Sequence, residues 1–127
     1  MTTHNKYAGE FKATLGGKER VFKLTFERLV HLEDATGKGV LDLSQSILDR
    51  KFTTSQIVEI IYQGLLGAGG KFEKSAVGTM IINDGIANSA GIASSILSTL
   101  FLTQDELTPL VKGESESKVE PTQSKDT

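Results

Sequence analysis

Apolar and polar residues alternate along GEFKATL and again along ERVFKLTF, with Gly16-Gly17 between the two runs. A period of two marks a half-buried strand, and paired glycines supply the positive φ of a tight turn, so this stretch predicts a β-hairpin. With Gly16 and Gly17 as the loop, Leu15 faces Lys18, Phe11 faces Phe22 and Gly9 faces Leu24. That register gathers Phe11, Ala13, Leu15, Phe22 and Leu24 on one face and sets Glu10 opposite Lys23 on the other. A lone hairpin is marginal in water, so its apolar face is expected to pack on helices.

From Phe26 the period lengthens. Phe26, Leu29, Val30, Leu32 and Ala35 fit one side of a short helix that stops near Thr36-Gly37. LDLSQSILDRK predicts a second helix, with Asp42 as N-cap and Gln45 three residues on. The third, FTTSQIVEIIYQGLLG, carries the strongest local signal. Thr53 and Gln56 are spaced as a capping box, Phe52 and Ile57 as a hydrophobic staple, and Ile57, Ile61 and Leu65 line an apolar face with Val58 and Tyr62. EKSAVGTMIIND predicts a fourth helix with Val77, Met80 and Ile81 at core spacing, broken at Asn83-Asp84-Gly85. A fifth covers about 86–102, with Ile86, Ala90, Ala93, Ile96, Leu97, Leu100 and Phe101 as its apolar positions. Its small residues (Ala87, Ala90, Gly91, Ala93, Ser94) permit close approach to a neighbour. Thr103 and Glu106 then cap one further turn before Pro109.

Composition narrows the class. The 127 residues are 38% hydrophobic and 24% charged, with no cysteine or tryptophan, which suits one domain with an aliphatic core and excludes disulfides and thiolate chemistry. The stretch from Gly113 to Thr127 holds Glu114, Glu116, Glu120 and Asp126 against Lys118 and Lys125, leaving 12 basic and 12 acidic residues in 1–112. A neutral body without a basic block argues against nucleic-acid binding. MTTHNKYAGE has no apolar segment of the kind that directs secretion. The uncharged run Gly85–Gln104 has the length of a membrane span, but Asn88, four serines, Thr99, Thr103 and Gln104 would drive insertion poorly, so a buried helix is expected. The low-aromatic, Ser/Glu/Lys-rich tail 113–127 is expected to be disordered.

GLLGAGGKF at 64–72 invites a nucleotide reading. A phosphate loop needs G-x-x-x-x-G-K-[ST] between a strand and a helix. Here Leu65 stands where the first glycine is required, Phe72 replaces the Ser/Thr, and a capped helix precedes the loop. The segment is therefore expected to end a helix through a glycine C-cap and a flexible joint. His31 with Asp34 three residues on is a two-ligand pair lacking a third, and His4 lies in the N-terminal segment. Glu33-Asp34 and Asp105-Glu106 fall on polar helix surfaces. Nothing assembles a base, a nucleophile and an oxyanion donor, so no catalysis, metal or cofactor is expected.

The order of elements carries more information than any one motif. GEFKATLGGKERVFKLTF runs directly into RLVHLE, followed by FTTSQIVEIIYQGLLGAGG and a small-residue helix ending LSTLFL. Over about residues 8–102 this resembles the small tail assembly chaperones of long-tailed phages, in the family shared with gene transfer agents. Its members look like a strand, a glycine turn, a strand reading R-x-x-x-L-T, a helix with L-E and a later helix ending G-L-x-G-G-G. The resemblance implies a non-enzymatic assembly factor that binds the helical tape-measure protein, keeps it soluble and helps tail-tube subunits polymerise around it. It also implies residence in the cytoplasm of a bacterial host and absence from the mature virion. The extension after Leu102 exceeds what that family's compact core needs, and a frameshifted longer product cannot be read from protein sequence. The alternative is a tail completion or connector protein retained in the virion.

The expectation is thus an α+β domain over 8–112, one hairpin on about five helices, between a flexible segment 1–7 and a disordered acidic tail 113–127. Gly16, Gly17, Gly37, Gly64, Gly67, Gly69 and Gly70 are expected to be structural. Ile57, Ile61, Ile92, Ile96 and Leu100, at apolar helical spacing, are expected to form the face for the tape-measure protein, the tail-tube protein or a second copy.

Overall fold

The computed structural model describes residues 9–101. Strands β1 (Glu10–Leu15) and β2 (Lys18–Lys23) precede helices α1 (Phe26–Thr36), α2 (Val40–Leu48), α3 (Thr54–Gly67), α4 (Lys74–Asp84) and α5 (Ile86–Ser98), and a 3₁₀ turn over Thr99–Phe101 follows. This is the expected α+β architecture. The segment 1–7, the turn expected around Thr103 and Glu106, and the tail 113–127 lie outside the described residues.

The hairpin has the register set by its alternation: Glu10 pairs with Lys23, Phe11 with Phe22 and Leu15 with Lys18. Gly16 and Gly17 have φ of 65° and 82°, the two left-handed residues of a type I′ turn, whose twist matches that of the strands. The Phe11 and Phe22 rings lie 6.3 Å apart on the apolar face. Arg20 emerges on that same face, a role the alternation did not flag. Its Nε donates to the Leu15 carbonyl at 2.8 Å and its guanidinium lies 5.4 Å from the Phe72 ring centre. The residue thereby closes one margin of the core.

Helix α3 is central, touching β2, α1, α4 and α5. Its capping box forms as expected, with Gln56 N–H donating to Thr53 Oγ1 at 3.1 Å and Thr53 N–H to Gln56 Oε1 at 3.0 Å. Ile57, Ile60, Ile61 and Leu65 are buried with Leu15, Phe22, Leu32, Leu43, Val77, Ile81, Ile96 and Leu97.

Three local expectations change. Helix α2 starts at Val40 rather than being capped by Asp42, because Glu33 of α1 reaches over and accepts from Val40 N–H at 3.1 Å. A neighbouring helix supplies the cap that a local reading seeks in the next polar residue. In α1 only Leu32 of the apolar set is buried, while Phe26 and Val30 face outward. Helix α5 ends at Ser98, earlier than the spacing suggested, because the chain tightens into the 3₁₀ turn, where Thr99 Oγ1 donates to Ile96 O at 2.7 Å.

Ser89 of α5 is fully buried, and its hydroxyl has no hydrogen-bond partner among the described residues. An orphaned buried polar group costs about 1–3 kcal/mol. Ser89→Ala is therefore expected to raise the stability in urea unfolding by about 1 kcal/mol. A lowered midpoint would show that the hydroxyl is bonded.

Candidate assembly surface

The residues expected to form a partner face lie inside the domain. Ile57, Ile61 and Ile96 are essentially inaccessible, Ile92 is buried, and Leu100 packs against the same core. They are apolar at helical spacing because α3 and α5 pack on each other and on the hairpin. A partner could touch the four isoleucines only by opening the domain, whereas Leu100 is partly exposed; Ile96→Asp would test folding rather than capture.

The glycine-rich segment is a helix stop. After α3 ends at Gly67, Gly69 takes φ of 95°, its N–H donates to Leu66 O at 3.0 Å, and Gly70 N–H donates to Leu65 O at 2.9 Å. This pair of bonds is a Schellman motif, and it turns back into the helix the amides a phosphate would need. The segment is also tightly packed rather than merely a loose joint. A Cβ at Gly64 would lie 3.3 Å from both Ile96 Cδ1 and Phe22 Cβ. At Gly67 it would overlap the Lys23 carbonyl oxygen, and at Gly70 it would meet Phe72 Cε2 at 2.8 Å. Gly37 has φ of 72° and ends α1, as its position suggested.

Beside this stop runs a polar network that sequence reasoning missed. Glu59, flanked by Val58 and Ile60 on α3, is buried, yet both its oxygens are bonded: Oε1 lies 2.7 Å from Lys74 Nζ and Oε2 accepts from Gln63 Nε2 at 2.8 Å. Gln63 Oε1 in turn accepts from Arg28 Nη1 at 3.2 Å. One buried anion thus lies between two cations, joining α1, α3 and α4. The hydrogen bond to Glu59 raises the Lys74 ammonium above its ordinary pKa, against a smaller opposing effect of burial. The available signal was a Glu at i and a Gln at i+4 on a helix whose neighbours were all apolar. With both oxygens occupied, Glu59 is not a free base. His31 is exposed, 3.9 Å from Glu27, and no three His, Asp or Glu residues cluster as a metal site among the described residues. His4 and Asp105-Glu106 lie outside the described residues.

What the surface does offer is apolar. Phe26, Leu41, Leu48 and Ile82 are largely exposed, and Val30 is partly so. An open depression of about 430 Å³ is lined by Thr25, Glu27 and Arg28 together with Leu66, Gly67, Gly69, Gly70 and Lys71. Among the described residues no helix is long and apolar enough to cross a membrane.

Searches of curated proteins and of solved structures returned no match. The family model described as "Phage tail tube protein, GTA-gp10" matches residues 8–103. It bears out the phage and gene-transfer-agent tail family and corrects two expectations: that the protein is a tape-measure-binding chaperone, and that it is absent from the mature virion. A tube protein is a structural component of the particle. With that match extending over the hairpin and all five helices, the chain belongs to the phage tail tube protein, GTA-gp10, family.

Proposed function

We propose that this protein is a non-catalytic structural subunit of a phage or prophage-type tail, associating with copies of itself and with neighbouring tail components and remaining in the particle. The observation that carries this reading is the family match over residues 8–103. Two features of the molecule support it. Large apolar side chains stand outside a core that is already complete without them. A lone domain gains nothing from holding Phe26, Leu41 and Leu48 in water, whereas a subunit covered by neighbours does. The buried carboxylate, in turn, is saturated by structural partners and left with no chemistry to perform.

Within this reading the protein either forms the tube or completes one of its ends. Quantitative mass spectrometry of purified particles distinguishes them. A tube subunit is expected in a copy number that scales with tail length when long- and short-tailed particles are compared. A completion or connector subunit is expected at the copy number of one ring in both. Particles free of the protein would overturn both forms of the proposal.

A further inference from the structure

We propose that copies of the chain join head to tail, the outer face of α2 in one copy lying across the depression between α1 and the end of α3 in the next. This rests on the self-associating structural reading above and names the two surfaces that would carry it. Leu41 and Leu48, 71% and 69% exposed, stand two helical turns apart on one side of α2. Asp42 and Asp49 repeat that spacing one position on, and Gln45 lies between the pairs, so an apolar and an acidic stripe run side by side over exposed residues. The opposite side of α2 holds Leu43 and Ile47, buried where the helix packs on α5. The two surfaces sit at the two ends of α1. Thr25 and Arg28 bring its first turn to the depression, while Glu33 in its last turn caps Val40 at the start of α2. The 11 residues of α1 set these ends about 15 Å apart. One copy can therefore give its α2 to a second copy while its own depression takes the α2 of a third, as a head-to-tail contact requires.

Charge selects the pairing. Asp49 caps the C-terminal end of α2, where the helix dipole is negative and the last turn holds no basic residue. An anion so placed is unfavourable until a cation covers it. Its Oδ1 accepts from Gln45 Nε2 at 3.0 Å, a neutral partner, and neither Asp42 nor Asp49 forms an ion pair among the described residues. The lining of the depression is mainly polar and supplies the missing cation. Lys71 is exposed and forms no ion pair among the described residues. Glu27, the acidic member of the lining, is held 3.2 Å from Arg28 Nη2. Leu66 gives the lining an apolar contact for Leu48, the neighbour of Asp49. The amides of Gly69 and Gly70 are already bonded to Leu66 O and Leu65 O, so a helix laid across them strands neither donor. The contact thus sets Asp49 against the partner's Lys71 and Leu48 against the partner's Leu66.

Sedimentation equilibrium of the full chain over a concentration series tests this, with circular dichroism as the folding control. The weight-average mass of the wild type is expected to rise past twice the monomer mass, the value at which a closed pair would level off. Leu41→Glu/Leu48→Glu changes two exposed positions and is expected to be monomeric with an unchanged spectrum. Asp49→Lys and Lys71→Glu are each expected to weaken association about tenfold, since each turns an attraction into a repulsion. The double variant Asp49→Lys/Lys71→Glu is expected to recover wild-type affinity, which damage to the fold would not allow. A wild type that stays monomeric or stops at two copies would overturn the proposal. So would a Leu41→Glu/Leu48→Glu chain that associates as the wild type does, or a double variant as weak as the singles. Because particle content is measured separately, the contact can fail while the tail-component reading stands, and the converse holds as well.

Discussion

Gly67→Ala is expected to destabilise the domain by about 3 kcal/mol or more, enough to leave a chain of ordinary stability largely unfolded on mild heating. Gly67 is the last residue of α3 and its φ lies outside the left-handed region, so alanine brings no backbone strain. The cost is entirely one of space. The added methyl would overlap the Lys23 carbonyl oxygen, stand 2.9 Å from its carbon and lie 3.3 Å from Arg28 Cγ. A carbonyl at the end of a strand cannot swing aside as a side-chain tip can, so α3 and β2 would have to separate. Gly91 provides the contrast. It lies on an exposed part of α5 with nothing within 4 Å of an added Cβ. Gly91→Ala is expected to gain about 0.5–1 kcal/mol by removing freedom from the unfolded chain. Urea midpoints that move alike for the two variants would refute the close approach of α3 to β2.

Lys74→Met is expected to cost about 3 kcal/mol, more than Glu59→Leu, although the two remove the same ion pair. The asymmetry follows from where each survivor is left. The Lys74 side chain is 52% exposed and can turn to water, whereas the Glu59 side chain is 8% exposed and has only Gln63 to fall back on. Stranding the anion is the costly outcome. The double variant Glu59→Leu/Lys74→Met is expected to lie closer to wild type than Lys74→Met alone, because no buried charge remains unpaired. The pair also sets an alkaline limit. A lysine whose pKa is raised on folding binds its proton more tightly in the native state. Its stabilisation is therefore complete below the ordinary lysine pKa of 10.5 and lost as pH rises through the higher folded value. Lys74→Met should lack that part of the alkaline decline. Equal losses in the two single variants would show that Glu59 is not effectively buried.

Family membership was legible in the sequence to a useful depth. The run from Gly9 to Phe26, the capped helix and its glycine-rich end pointed to phage tails, but not to the role within them. No residue in the chain separates a chaperone from a tube subunit, and the reading of function and location went wrong at that point. The partner face went wrong for a different reason. Ile57, Ile61, Ile92 and Ile96 were identified as apolar, which is correct, and then assigned to a surface. Periodicity shows that a helix has an apolar side; it carries no information on what covers that side. Phe26 and Val30, which the same periodicity places on the apolar side of α1, are among the residues left uncovered.

The division between the two kinds of information follows whether an interaction closes within a turn or a helix end, or depends on how separate helices and strands pack. The hairpin register, the Thr53–Gln56 box and the Schellman stop at Gly69-Gly70 join residues three to thirteen positions apart. Their geometry is fixed by local sterics and hydrogen bonding, so the chain alone determined them. The approach of Gly67 to Lys23, the Lys74–Glu59–Gln63–Arg28 network, the Glu33 cap on Val40 and the exposure of Phe26 were decided by tertiary structure. Three of these join separate elements and the fourth records a neighbour that never arrives. Each depends on which faces meet when α3 is laid across the hairpin, and that choice minimises exposed apolar area over the whole chain at once.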